Sequence, residues 1–233
     1  MKLLELTLPT PAENLACDEA LLDLCEADGG NDGPSATSSG SSGILRFWEA
    51  REHFIVLGYS NQASTEAHLD RARQDGIPVL RRCTGGGAVL QGPGCLNYSL
   101  ILPITAAIRE TNVSIMQRHA TALNADVRGH SDLTLGDMKF SGNAQRRKRR
   151  YLLFHGSFLL NLDIERVERL LPMPSREPDY RRHRAHRHFL QSVALPFRQA
   201  LRECWQANEL LTDLPEIAPL ARQYSSDEWT FRF

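Results

Sequence analysis

The sequence lacks the features of a membrane or secreted protein. Every apolar run falls short of the roughly 18 residues that a membrane span needs, and the first ten residues hold too few apolar side chains before Pro9 to form a secretory signal. Five cysteines, an odd number in 233 residues, are not typical of a disulfide framework. We therefore expect a reduced, cytoplasmic protein.

An excess of one charge is also absent. The formal net charge is −1, so no overall field would draw the chain to nucleic acid or to a membrane of anionic lipid. No Cys-x-x-Cys pair or His-Glu-x-x-His motif indicates a metal site, and no Gly-x-Ser-x-Gly motif indicates a hydrolase nucleophile. The hydrophobic fraction of 42% is that of an ordinary globular domain with a sizeable core.

Local patterns predict an α+β fold. Thr10 and Glu13 form a capping box with Pro11 at the first helical position, which predicts a helix over residues 11–27. Helical spacing predicts further helices at 65–75, 113–124, 164–171, 188–207 with a break at Pro196, and 216–225. Short apolar runs predict strands at 44–48, 54–58, 77–83, 88–91, 98–102 and 154–162, and a hairpin over 133–140. We expect a largely antiparallel or mixed sheet flanked by helices, and a flexible surface loop over the Gly- and Ser-rich residues 28–43.

A run of three glycines is the first candidate for chemistry. Arg81 and Arg82 stand before Thr84 and Gly85–Gly87, between two predicted strands. Backbone N–H groups without side chains can form a concave anion site, and arginine forks suit phosphate or carboxylate. The run is not a P-loop, since no Gly-Lys-Ser or Gly-Lys-Thr follows it. It is not a dinucleotide fingerprint either, since Leu90 stands where the last glycine would be. A plain glycine-rich hairpin with two solvated arginines is the alternative.

A solitary lysine is the second candidate. Lys139 is the only lysine between Lys2 and Lys148, and small polar residues follow it at once. Its ammonium could neutralise a phosphate or a developing oxyanion. On its own, this residue also fits an ordinary lysine at the end of a strand.

Other polar clusters have plainer interpretations. The basic run 146–150 has no interleaved aromatic residue, so a solvated loop is favoured over a nucleic-acid site. Residues 181–188 hold three histidines among arginines, whose repulsion disfavours a divalent ion. His155, placed before Gly156, is more often structural than catalytic in such a setting.

Taken together, the segments resemble the lipoate–protein ligase family of the biotin/lipoate ligase superfamily. The resemblance runs in order over most of the chain and includes residues 14–19, 47–49, 56–62, 81–89, 97–99, 131–133, 139–145 and 155–156. It implies the biotin/lipoate ligase catalytic-domain fold, as one domain over residues 1–233. No Gly-Arg-Gly-Arg run typical of the biotin ligases is present.

The resemblance implies a two-step reaction. ATP and lipoate, or octanoate, would first form an acyl-adenylate and pyrophosphate, with Mg²⁺ accompanying the nucleotide. The acyl group would then pass to a lysine of a lipoyl carrier domain, of the 2-oxoacid dehydrogenase acyltransferase or glycine cleavage H protein type.

The same resemblance implies roles for particular residues. Lys139 would be the catalytic cation, and Arg82 with the backbone of Gly86 to Leu90 would line the acyl-adenylate pocket. Asp132 would lie near the nucleotide, and a loop formed by Ser141, Gly142 and Asn143 would close over the adenylate. The complete set of expected binding residues is Arg82, Gly86, Gly87, Ala88, Val89, Leu90, Asp132, Lys139, Ser141, Gly142 and Asn143, with no metal ligands assigned.

Octanoyltransferases of the same fold are the rival interpretation. They carry the acyl group on a cysteine, shortly before the family lysine or a few tens of residues after it. Here 122–138 holds no cysteine, and Cys204 is the next one after Lys139. Cys83 lies beside the arginines, where a lowered pKa is conceivable. A carrier-binding protein that keeps the pocket without turnover is a third alternative.

Two departures from the family pattern bear on activity. Gln91 stands where many members have histidine, and an amide cannot take up a proton at neutral pH. Many full-length ligases also carry a small C-terminal accessory domain, which we do not expect here. The adenylation step would then need a separate accessory subunit, or the protein is a compact one-domain type.

Overall fold

The computed structural model describes residues 1–28 and 43–233, so most of the Gly- and Ser-rich segment 28–43 lies outside the described residues. The helices are α1 (Pro11–Asp28), α2 (Ala63–Glu66), α3 (Leu69–Gln74), α4 (Ile108–Leu123), α5 (Ile164–Leu170), α6 (Phe197–Trp205), α7 (Ala218–Tyr224) and α8 (Asp227–Thr230). The strands are β1 (Lys2–Glu5), β2 (Ile44–Trp48), β3 (Phe54–Leu57), β4 (Val79–Arg81), β5 (Val89–Gln91), β6 (Cys95–Pro103), β7 (Asp126–Arg128), β8 (Asp132–Leu135), β9 (Met138–Arg147), β10 (Tyr151–Leu159) and β11 (Glu209–Leu210). Within this part of the chain, no helix combines the length and apolar character needed to cross a membrane.

Two sheets organise the residues that the structure describes. The large one has eight strands in the order β11-β1-β2-β6-β10-β9-β8-β7, in which β1 runs parallel to both neighbours and the other pairs are antiparallel. The small one has the order β4-β3-β5, with one parallel and one antiparallel pair. The expected α+β fold with a mixed sheet flanked by helices is therefore confirmed.

One face of the large sheet carries an aromatic core. Tyr98, Phe154 and Phe158 pack there against α4 and α6. The rings of Phe158 and Phe197 are stacked with centroids 4.2 Å apart. Burial of several large apolar side chains at about 25 cal/mol per Å² fixes α4 and α6 to this face.

The opposite face is covered by α1 and the small sheet. A buried ion pair fastens α1 there: Arg46 Nη1 lies 2.6 Å from Asp18 Oδ1, and their side chains are 0% and 2% exposed. Arg46 also donates to the backbone oxygen and the side-chain oxygen of Asn14. Burial alone would raise the pKa of Asp18, but Arg46, with His155 and Ser99, outweighs it and holds that pKa below its ordinary value.

Some predicted helices differ from the structure. The predicted helix 65–75 is two short helices, α2 and α3, because the chain is extended at Ala67 between them. The predicted helix 188–207 is α-helical only in α6, which begins after Pro196. The segment before it lies alongside β9 instead, where Phe189 and Gln191 bond to the backbone of Lys139.

Other expectations about local structure have mixed outcomes. The tight turn at Gly136–Asp137 is confirmed, since Leu135 pairs with Met138 and Gly136 has φ +59°. The strands β1, β7 and β11 were not predicted, because two to four residues are too few for a periodic signal.

The basic run 146–150 is not the solvated loop that the sequence suggests. It faces the acidic side of α1, where Glu19, Asp23 and Glu26 recur at helical spacing. Its ion pairs are Arg146–Glu19 at 2.8 Å, Lys148–Asp23, and Arg150–Glu26 at 3.8 Å. The charges therefore fasten the β9–β10 hairpin to α1.

The buried pair at α1 gives a stability prediction. Arg46→Leu leaves Asp18 buried without its partner, so we expect a loss of about 3–5 kcal/mol in the free energy of unfolding at pH 7. Because the folded pKa of Asp18 is lowered, the pair's contribution in the wild type is complete above about pH 5 and is lost as the pH falls through that pKa. Urea unfolding at several pH values measures both.

The matched control is Arg73→Leu. Arg73 and Asp70 form an ion pair whose side chains are 80% and 90% exposed, so water and salt screen it. Equal destabilisation by the two substitutions would contradict the role given to Arg46.

Candidate active site between the glycine-rich loop and Lys139

The face of the large sheet below α1 and the small sheet carries a polar floor. Residues opposite each other on neighbouring strands point to the same face, so pairing defines rows across the sheet. One row is Arg46, Ser99, His155 and Ala144. The adjacent row on the same face is Trp48, Asn97, Ser157, Gly142 and Asp132.

A β-bulge in β9 brings Lys139 to this floor. Thr134 pairs with Lys139, whereas Leu133 pairs with Ser141, so Phe140 is an extra residue. Without it, Lys139 and Gly142 would point to opposite faces, because successive side chains alternate. With it, a Cβ on Gly142 would lie 2.8 Å from Lys139 Nζ, so a larger residue there would displace the ammonium.

One carboxylate holds the Lys139 ammonium. Lys139 Nζ lies 2.8 Å from Asp132 Oδ1, with side chains that are 23% and 11% exposed. The other oxygen of Asp132 accepts a hydrogen bond of 2.8 Å from the hydroxyl of Tyr180. Burial and the neighbouring Asp132 charge raise the pKa of Tyr180, so its hydroxyl keeps its proton and remains a donor.

The glycine-rich loop is wrapped around a buried guanidinium. Arg82 donates to the Thr84 hydroxyl at 3.0 Å and to the backbone oxygens of Gly85 at 2.6 Å, Gly87 at 2.9 Å and Val56 at 3.3 Å. Burial lowers the pKa of Arg82 to about 10, so it stays charged at pH 7. The carbonyl dipoles compensate that charge, and the loop takes its shape from them.

The loop and Lys139 lie on the same face. The Thr84 hydroxyl is 2.7 Å from His155 Nε2, and a Cβ on Gly86 would lie 3.9 Å from the Cβ of Ala144. Ala144 is two residues from Gly142 on β9, about 6.6 Å along the strand. The loop and the ammonium therefore border one cleft.

Ser141 and Asn143 are placed differently from the expectation. They do not form a loop over the cleft but lie inside β9, paired with Phe158 and Gly156 of β10. Because of the bulge, both side chains point to the aromatic core side. The Asn143 amide donates to the backbone oxygen of Ser131 at 2.7 Å and accepts from the Tyr98 hydroxyl at 2.7 Å. Of the three residues, Gly142 alone faces the cleft.

The residues after the glycines divide between two surfaces. Leu90 is buried on the outer side of the small sheet, so it contributes only backbone to the cleft. Val89, half-buried, packs toward α1, and Ala88 is partly buried beside the outer cluster. Gln91 faces the polar floor, with its amide nitrogen 3.5 Å from the Ser157 hydroxyl.

His155, Asn97, Ser157 and Tyr180 complete the polar surroundings of the cleft. His155 links the loop to α1, since its other ring nitrogen lies 3.7 Å from Asp18 Oδ2. Asn97 and Ser157 could have been placed on the polar face from the sequence, because polar and apolar residues alternate along their strands. Tyr180 carries no such signal, because a long irregular segment brings it to Asp132.

Burial keeps four of the five thiols protonated at neutral pH. Burial raises the pKa of Cys17 and Cys204 to about 11, and that of Cys83 and Cys95 to about 12. The expectation of a lowered pKa for Cys83 is wrong, because burial and then the Glu19 charge outweigh the nearby Arg146. These four cysteines are not poised as nucleophiles at neutral pH.

Comparison with known proteins assigns the chain to a family. The model of the lipoyl protein ligase A/B catalytic domain matches residues 10–200. The chain belongs to this family. The cleft lies within the matched range.

Curated relatives include both kinds of enzyme. A protein of Aeropyrum pernix, whose assignment as a lipoate-protein ligase A is itself inferred, is 30% identical over 174 residues, 72% of this chain and 61% of the relative. The octanoyltransferase LipM of Carboxydothermus hydrogenoformans is 28% identical over 267 aligned positions, 95% of each chain. This chain spans about two fifths to three fifths of the first three lipoate ligase relatives.

Solved structures share the fold over the whole chain. A bipartite lipoate protein ligase of Thermoplasma acidophilum, described with its E2 lipoyl domain, superimposes with a TM-score of 0.78 at 24% identity, covering 99% of this chain and 95% of that one. A lipoate-protein ligase A bound with ATP gives 0.77 at 23% identity, covering 99% and 98%. This confirms the lipoate ligase fold.

Two neighbouring glycines of the loop should differ in their tolerance of alanine. Gly86 has φ +92°, and a Cβ there would lie 2.9 Å from Arg82 Nη2, so we expect Gly86→Ala to lose about 1–3 kcal/mol of unfolding free energy. Gly85→Ala is the control, because a Cβ at Gly85 meets nothing within 4 Å and its φ is not positive. Chemical denaturation compares the two, and similar stabilities would contradict the described loop.

Proposed function

We propose that the protein joins lipoate or octanoate to AMP at the expense of ATP and then transfers the acyl group to a lysine of a lipoyl carrier domain. The observation that carries this proposal is the shared cleft, with exposed glycine backbone on one side and the Lys139 ammonium on the other. Both steps develop negative charge on oxygen at the reacting centre, and the Lys139 ammonium lies where it can stabilise that charge.

Lys139 would act in both steps. In the first, an oxygen of the acid attacks the α-phosphorus of ATP, the bond to the β-phosphate oxygen breaks and pyrophosphate leaves. In the second, the carrier amine attacks the acyl carbonyl and AMP leaves with the bonding electron pair. Negative charge builds next to the ammonium each time, and the Asp132 contact fixes its direction beforehand.

The glycine-rich loop would bind phosphate through its backbone. Gly85, Gly86 and Gly87 are exposed, so a nucleotide can reach the main chain closely. The Arg82 guanidinium already donates three hydrogen bonds to the loop and one to the backbone oxygen of Val56. We therefore propose that Arg82 shapes the loop rather than contacting the phosphate. Asp132 would hold Lys139 rather than the nucleotide.

The comparisons support the substrate classes. A structural neighbour was solved with ATP bound, and another contains lipoic acid. The Thermoplasma neighbour is bipartite and was described with an E2 lipoyl domain. We therefore propose a lipoyl carrier domain as acceptor. For adenylation, a separate accessory subunit and a compact one-domain enzyme are the two alternatives. One catalytic unit over residues 1–233 remains a prediction.

Mg²⁺ would enter with the nucleotide rather than at a protein cage. Among residues 1–28 and 43–233, no three His, Cys, Asp or Glu side chains are grouped so as to hold a metal ion. Mg²⁺ readily keeps several waters and binds through nucleotide phosphates. We derive no step through it.

An octanoyltransferase acting through a cysteine thioester is the second candidate. The alignment with LipM over 95% of both chains favours it. The four thiols of raised pKa and the absence of cysteine from 122–138 argue against it.

The lysine gives the direct test of the first candidate. We expect Lys139→Ala to lower acid-dependent pyrophosphate release by at least about 100-fold, the scale found when an oxyanion donor is removed. Lys148→Ala is the matched control, since Lys148 pairs with Asp23 away from the cleft. Full activity in the Lys139 variant would end the role given to it, and binding without pyrophosphate release in the wild type would favour a non-catalytic carrier-binding protein.

The thiols separate the two candidates. We expect slow alkylation by iodoacetamide at pH 7.5 at Cys17, Cys83, Cys95 and Cys204, because their raised pKa values leave little thiolate. Intact-mass measurement after incubation with an octanoyl carrier thioester should show no acyl-cysteine adduct. A stoichiometric adduct would establish the transferase instead.

A further inference from the structure

A line of hydrogen bonds crosses the aromatic core and ends beside the cleft. We call it the buried chain: its members come from α6, α4, β6 and β9 in turn, and they are Trp205, His119, Tyr98 and Asn143. The contacts are Trp205 Nε1 to His119 Nε2 at 2.8 Å, His119 Nδ1 to the Tyr98 hydroxyl at 3.2 Å, the Tyr98 hydroxyl to Asn143 Oδ1 at 2.7 Å, and Asn143 Nδ2 to the Ser131 oxygen at 2.7 Å.

Donor chemistry allows one direction only. An indole N–H can only donate, so His119 Nε2 must accept and the ring must carry its proton on Nδ1. That N–H donates to the Tyr98 oxygen, which leaves the Tyr98 proton for Asn143. A backbone oxygen can only accept, so the Asn143 nitrogen faces Ser131. Bonds that all point one way polarise and strengthen one another.

His119 is suited to stay neutral. It is fully buried, and burial lowers its pKa to about 3. A protonated ring would donate at both nitrogens and would lose the bond from Trp205.

The Asn143 amide fits in the buried chain because Gly156 has no side chain. A Cβ on Gly156, opposite Asn143, would lie 1.8 Å from Asn143 Oδ1. No rotation of a β-carbon could relieve that overlap, so the glycine after His155 is required by the amide.

The chain ends one residue before Asp132, which faces Lys139 Nζ at 2.8 Å. We infer that the buried chain is a positioning device, which fixes the Ser131 oxygen and thereby sets the Asp132 carboxylate against the Lys139 ammonium. Asn143, expected from the sequence to bind the adenylate, is then a positioning residue, as are the three residues behind it. The kinetic consequence rests on the proposed function, and the geometric one does not.

The small number of lysines in the protein allows the Lys139 environment to be measured without an activity assay. Lys2, Lys139 and Lys148 are the three lysines, so reductive methylation with carbon-13 gives three resolvable side-chain signals and one from the amino terminus. Lys2→Arg and Lys148→Arg assign them. Asp132→Asn then marks where the Lys139 signal lies when its partner charge is removed.

Tyr98→Phe is the test, because it deletes the central hydroxyl and leaves both neighbours unpaired. We expect the Lys139 signal to move toward its position in Asp132→Asn. Tyr224→Phe is the matched control: it removes another buried hydroxyl, which donates to Glu19 at 2.6 Å, and should leave the Lys139 signal in place. An unmoved signal in Tyr98→Phe, or equal movement in both variants, would overturn the inference.

Two further measurements complete the test. Nitrogen-15 NMR should show His119 protonated at Nδ1 and bare at Nε2, and the reverse tautomer would contradict the direction of the chain. In the full protein, Tyr98→Phe should lower kcat of pyrophosphate release about tenfold with KM for ATP nearly unchanged, as expected when a positioned group is loosened. If the wild type releases no pyrophosphate, the proposed function fails while the Lys139 signal still decides the inference.

Discussion

One extra residue in β9 determines how the cleft is built. The bulge at Phe140 lets Lys139 and Gly142 share the polar face, while Ser141 and Asn143 turn toward the aromatic core. The ammonium can then meet Asp132 across the β8–β9 pair. In a regular ladder every one of these side chains beyond the bulge would change face, and neither the ion pair nor the amide contact to Ser131 would form.

The rest of the fold fixes the two sides of this cleft independently. On the loop side, the buried guanidinium of Arg82 gathers carbonyl oxygens, and His155 ties the Thr84 hydroxyl to the sheet. Below it, the Arg46–Asp18 pair holds α1 on the same face. Buried charges that are paired and hydrogen-bonded are costly to disturb, so these contacts hold both walls of the cleft in place.

The sequence predicts much of this and misses what depends on register. The capping box at Thr10, the strands and the turn at Gly136 follow from local chemistry, and the resemblance brings Arg82 and Lys139 into one site. Nothing local shows that Phe140 is an extra residue, so the expected loop of Ser141 to Asn143 over the adenylate was wrong, and these residues lie inside β9. The ion pairs of 146–150 with α1 and the approach of Tyr180 to Asp132 join residues far apart in sequence, which a single chain without its fold cannot reveal.

Oxygen transfer tests the central claim, that acid and nucleotide are joined directly in this cleft. The protein is incubated with ATP, a carrier domain and octanoate labelled with oxygen-18 in its carboxyl group, and the AMP is analysed by mass spectrometry. A mixed anhydride leaves one carboxyl oxygen on phosphorus, so the account predicts one oxygen-18 atom in each AMP released. Acylated carrier without labelled AMP would contradict it.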